Sequence, residues 1–140
     1  MATLFTKIID GELPGRFVWK DERAVAFMTI APVKAGHVLV VPREEIDHWI
    51  DMPRELAAHV MEVAQSVGKA IQRAFSPERV GVMVAGLEVP HVHLHLMPID
   101  AIADLDFKKQ NPDVPAEALD AAAAKIRAAL RELGYAQVAD

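Results

Sequence analysis

Cysteine is absent from all 140 residues, which removes disulfides, thiol catalysis and thiolate metal sites together. Basic runs are missing too. Nothing exceeds the pair Lys108-Lys109 in a chain of net charge −5, a poor match for duplex nucleic acid, although local geometry leaves small anions open as ligands. No apolar stretch is long enough to span a membrane, and residues 1–11, with Lys7 and Asp10, do not read as a signal peptide. The expectation is a cytoplasmic protein with no membrane partner. Internal repeats and low-complexity tracts are lacking as well. What remains is the composition of one folded domain, 52% hydrophobic with scattered prolines and glycines, long enough to bury a core.

Periodicity divides the chain. Phe5, Ile8 and Ile9 stand at helical spacing and stop at Gly11, which predicts a short first helix. After the turn at residues 13–15, Phe17 to Trp19 and Ala24 to Ile30 are apolar runs around a charged turn, the pattern of a hairpin. His37 to Val41 reads as a third strand ending at Pro42. Leu56, Val60, Val63, Val67 and Ile71 then repeat every three or four residues, predicting one long amphipathic helix over about 53–75, with Asp51 as its cap and Pro53 in its first turn. Val80 to Val84 is a fourth strand, turning at Ala85-Gly86. Beyond Pro98 an acidic, irregular segment leads to a last helix at about 116–133. Hairpin-joined strands with one long helix between them make an antiparallel α+β domain.

The densest chemical signal lies between Pro90 and Pro98, where His91, His93 and His95 alternate with Val92, Leu94 and Leu96. Strict alternation predicts a strand with its histidines on one face and its aliphatic residues in the core. Three adjacent imidazoles add nothing to packing that Thr or Val would not do better. Two chemistries use them: a metal site with imidazole ligands, or nucleophilic catalysis in which one imidazole attacks while its neighbours orient it and bind developing charge. Spacing alone does not choose between them. Among the other histidines, His48 reads as a surface group and His59 as a partly buried structural one.

Together with the upstream segments the triad resembles the histidine-triad (HIT) superfamily, and its Hint-like branch in particular. Phe5 to Pro14 is similar to that family's opening helix and turn. Val25 to Phe27, Pro32 and Gly36 to Pro42 are similar to its second and third strands. The resemblance covers about residues 3–98 and implies a HIT-like fold, a five-stranded antiparallel sheet with one long helix and a short N-terminal helix. Residues 99–140 would be an extension carrying an extra helix. It also implies a homodimer with a shared sheet, no cofactor and no metal, and action on a nucleotide phosphoramidate or phosphoanhydride through a nucleotidyl-histidine intermediate. In that reading His93 is the nucleophile, His95 and His91 flank it on phosphate oxygens and fix its tautomer, and His37 joins the network. The cluster would be mostly neutral at pH 7 and would titrate as a unit. Leu4, Phe5, Ile8, Phe27, Ile30 and Leu39 match base-contacting positions, with ordinary core packing as the alternative for some of them.

Several positions depart from the family's pattern. Thr29 stands where Hint-like proteins carry an aspartate for the ribose hydroxyls. Residues 84–90 lack the usual amide donors and place Glu88 near the phosphate site, and Glu45 replaces a histidine after Pro42-Arg43. These departures motivate two rival readings: a nucleotide-binding sensor with weak catalysis, and a zinc-dependent hydrolase using two triad histidines with His37 or Glu88.

Overall fold

Thr3 opens the first helix by accepting the Thr6 N–H, and the helix, α1 (Leu4–Ile9), ends at Asp10 before Gly11, whose φ of +84° turns the chain. The protein is described from a computed structural model, over residues 2–140. Strands β1 (Phe17–Lys20) and β2 (Ala24–Met28) form the expected hairpin. Its turn is built on Asp21, whose Oδ1 accepts the N–H groups of Arg23 and Ala24 and whose Oδ2 faces Trp19 Nε1 and His59 Nε2. Burial works against the Asp21 carboxylate, but these bonds hold its pKa below the ordinary range.

Strand β3 (Val38–Pro42) follows, then a 3-10 turn (Trp49–Asp51), helix α2 (Arg54–Phe75), strand β4 (Arg79–Met83), strand β5 (Leu94–Ile99), two further 3-10 turns (Ile102–Asp104 and Phe107–Lys109) and helix α3 (Ala116–Glu132). The sheet is antiparallel throughout, in the order β1-β2-β3-β5-β4. Asp51 does not cap α2 as the sequence predicts. It closes the 3-10 turn, and the chain runs extended through Met52 to Pro53, which occupies the cap position without a side-chain bond. Ser76 ends α2 in the left-handed conformation, and Gln72 Nε2 donates to the Pro77 carbonyl.

The pleat sorts residues to two faces. Val18, Ala26, Val40, Leu94 and Leu96 point to α2 and α3 and join one core with Val63, Val67, Ile71, Ile126 and Leu130. Each large aliphatic side chain fully buried there contributes about 1.5–3 kcal/mol. The extension is therefore part of the main core, not an appendage. Its last residues also cover the outer edge of β1, where Ala139 donates to Val18 and Lys20 donates to Gln137. The opposite face is smaller: Phe5 of α1 packs there on Val25, Phe27, Leu39 and Val41.

Candidate active site

A cross-strand row on that second face leads to the histidines. Phe27 pairs with Leu39, and Leu39 with His95. Strand β5 begins only at Leu94, so His91 and His93 precede it rather than forming its first residues as the sequence predicts. The reason lies in the backbone. Pro90 has no N–H, His91 donates to Val89 and Val92 donates to Ile46, so those groups do not join the sheet. The alternation of faces nonetheless persists, with Val92 in the main core and the three histidines on the other side.

All four histidines named from the sequence are buried, His37 and His91 completely. Gly36 makes the placement of His37 possible. Its φ is +97°, and a Cβ there would lie 2.7 Å from the Phe75 ring, so only glycine fits the turn before β3. The ring of His37 accepts the Val33 N–H at Nδ1 over 3.0 Å, and its Nε2 lies 2.9 Å from His95 Nδ1. Burial lowers the His37 pKa to about 4, and burial with the neighbouring His37 and His93 lowers that of His95 to about 3. Both rings are thus neutral at pH 7, and the bonds fix their tautomers. With Nδ1 of His37 an acceptor, its proton sits on Nε2 and points at His95 Nδ1. The proton of His95 is then on Nε2.

His93 is set the other way round. Its Nδ1 donates to the His91 carbonyl over 2.7 Å, which leaves a lone pair on Nε2. Burial lowers its pKa, against the hydrogen bond to the His91 carbonyl and the Glu88 carboxylate, which raise it, while the His91 ring adds to the lowering. His91 has no free nitrogen, since Nε2 faces the Pro42 carbonyl and Nδ1 faces Thr3 Oγ1, each at 2.7 Å. Its ring therefore has no nitrogen free for the phosphate contact expected from the sequence, and its carbonyl holds His93. Glu45 supports the same corner by accepting the Thr3 N–H at 2.8 Å.

Beside His93 and His95 lies a cavity of about 400 Å³. It collects all six apolar residues matched to base-contacting positions, Leu4, Phe5, Ile8, Phe27, Ile30 and Leu39, together with Thr29 and Glu88. Phe5 stands edge-on to both Phe27 and His93, at 5.6 and 4.9 Å between ring centres. Ile30 is 73% exposed and forms the rim rather than the wall, and Glu88 is exposed as well. A second, smaller space of about 90 Å³ joins residues 85–88 to His93, His95 and Phe107. Sequence reasoning missed Phe107, whose ring meets His95 edge-on at 4.7 Å, as well as Arg16 and Gln110 on the larger cavity. Among the described residues no group of three or more His, Cys, Asp or Glu side chains is arranged to hold a metal ion.

An antiparallel α+β sheet that presents alternating histidines to an apolar cleft defines a histidine-triad protein. The chain belongs to the HIT domain family, which matches residues 10–102. An uncharacterised HIT-like protein of Borreliella burgdorferi is 32% identical over 115 residues, 77% of this chain and 83% of its own. The adenosine 5′-monophosphoramidase of Schizosaccharomyces pombe is 32% identical over 103 residues, 70% of this chain and 74% of its own. A crystal structure of a Hit-like protein involved in cell-cycle regulation from Bartonella henselae, with an unknown ligand, superposes with a TM-score of 0.81. It is 32% identical and matches over 91% of this chain and 95% of that one.

Proposed function

We propose that the protein hydrolyses a nucleoside monophosphate derivative, of the phosphoramidate or phosphoanhydride type, through a nucleotidyl group carried on His93. The observation that carries the reading is the opposed tautomers of His93 and His95, a lone pair on one Nε2 and a proton on the other, beside a cavity sized for a base. His93 Nε2 attacks the α-phosphorus, forming an N–P bond as the bond to the leaving group breaks. His95 Nε2–H donates a hydrogen bond to a phosphate oxygen as charge builds there, and the departing nitrogen or oxygen takes its proton from solvent. The nucleotidyl-imidazole then carries positive charge, which the His91 carbonyl at Nδ1–H stabilises. Water attacks phosphorus in the second step, the bond to His93 Nε2 breaks, and the water's proton passes to solvent. The relative from Schizosaccharomyces pombe, an adenosine 5′-monophosphoramidase, supports adenosine phosphoramidates as the first substrates to assay.

Turnover of a fluorogenic adenosine phosphoramidate, measured beside AMP affinity, tests the proposal. Turnover supports a hydrolase; AMP binding without turnover supports a sensor. The homodimer belongs to the same reading, and support comes from β4, an edge strand with Val82 exposed beside an open groove against α2.

Thr29 offers a sharper test. Its Oγ1 accepts the Ala31 N–H at 3.2 Å and lines the cavity, so an aspartate there would keep that bond and add a second, charged acceptor. Hydrogen bonds to charged groups contribute about 1.5–3 kcal/mol against about 1 for neutral ones. Thr29→Asp is expected to tighten AMP roughly tenfold and to leave 2′,3′-dideoxy-AMP without gain, as read by calorimetric titration.

A further inference from the structure

The family match ends at residue 102, yet the cavity takes one polar side chain from beyond it, that of Gln110. Besides the histidines, four polar or charged side chains border this otherwise apolar space: Arg16, Thr29, Glu88 and Gln110. Arg16 is engaged by Asp120 of α3, Nε to Oδ1 at 2.6 Å. Glu88 belongs to the histidine end, where it also borders the small space beside His93 and His95. Thr29 and Gln110 remain, and they flank a single residue. The Ala31 N–H donates to Thr29 Oγ1, and Gln110 Nε2 donates to the Ala31 carbonyl at 3.0 Å.

That second bond orients the carboxamide, because only its NH₂ can face a carbonyl oxygen. Gln110 Oε1 then points elsewhere and takes no donor among the described residues. Thr29, having accepted one N–H, still has its own O–H and a second lone pair. Two neutral groups that bind hydroxyls thus stand on either side of one residue, in a cavity whose remaining walls are mostly apolar. The ligand feature that matches them is a pair of hydroxyls on adjacent carbons.

We propose that Gln110 determines specificity for a vicinal diol, its Oε1 accepting one ribose hydroxyl while Thr29 takes the other. The proposal rests on the nucleotide reading above. It makes the C-terminal extension part of the substrate site. The segment is held without the Gln110 side chain, by Asn111 N–H on the Pro32 carbonyl and Gln110 N–H on the Phe107 carbonyl, so its removal leaves the backbone in place.

The test is calorimetric titration of AMP and 2′,3′-dideoxy-AMP into the wild type, Gln110→Ala and Gln110→Leu, the leucine keeping the volume without an acceptor. The wild type is expected to prefer AMP. Both variants should lose AMP affinity by about five- to tenfold, to near the level of the dideoxy ligand, whose own affinity stays within about twofold. A variant that keeps the full preference for AMP overturns the proposal, as does equal weakening of both ligands, which marks a packing role. Binding of neither nucleotide by the wild type overturns the nucleotide reading itself, and is visible before any variant is made.

Discussion

His93→Ala lowers turnover of an adenosine phosphoramidate by roughly 10³-fold or more, the loss expected when a covalent nucleophile is removed. The size of the effect follows from the division of labour among the rings. His37 and His95 are locked as donors in a chain that runs from the Val33 N–H, and His91 has both nitrogens engaged. Only His93 offers an unprotonated nitrogen to the cavity. Removal should leave the fold intact, because its one side-chain bond is to the His91 carbonyl and its ring meets Phe5 and His95 edge-on, outside the main core. Circular dichroism and AMP titration of the variant check this. An alanine variant with near-normal kcat would end the mechanism.

Acid should weaken the fold before its carboxylates titrate. In the unfolded chain His37 and His95 bind protons near pH 6.5. In the folded protein, burial lowers them to about 4 and about 3. Between these values the unfolded chain holds more protons than the native one. Stability is therefore full above about pH 6.5 and is lost as pH falls towards 4. The rings are 2.9 Å apart and titrate as a pair, so the cost is assigned to the pair and not divided. At about 1.4 kcal/mol per unit of pKa, urea unfolding should show a loss on the order of 3–5 kcal/mol between pH 7 and pH 4.5. The double variant His37→Asn/His95→Asn should reduce that dependence and leave the part due to His93, whose pKa burial also lowers. Asp21, with its lowered pKa, weakens the fold only at still lower pH and so does not confuse the window.

Local patterns made much of this legible in the sequence. Alternation from His91 to Leu96 assigned the two faces correctly, because the side-chain period survives even where the segment leaves the sheet. The apolar residues matched to base-contacting positions all reached one cavity, since α1 and strands β2 and β3 lie where the resemblance implies. What escaped depended on contacts distant in sequence. Nothing in the periodicity of His91 reveals that Thr3 and Pro42 occupy both its nitrogens. Phe107 and Gln110 sit in an irregular segment with no period to read, and reach the site only because the chain returns past residues 31–32. Arg16 is invisible for the same reason, its partner Asp120 lying 104 residues away. Asp51 failed as a cap because the residues between it and α2 are extended, a choice that composition does not display.

The central claim, a nucleotidyl group borne by His93, is tested most directly by trapping it. Enzyme and excess adenosine phosphoramidate are mixed, quenched in alkali because the N–P bond of a phosphoryl-histidine is acid-labile, digested and read by mass spectrometry. The account predicts one adenylyl group on the peptide spanning the triad, localised by fragmentation to His93, and its absence in His93→Ala. Steady turnover with no adduct on any time scale down to a single catalytic cycle, or an adduct at another residue, would contradict it.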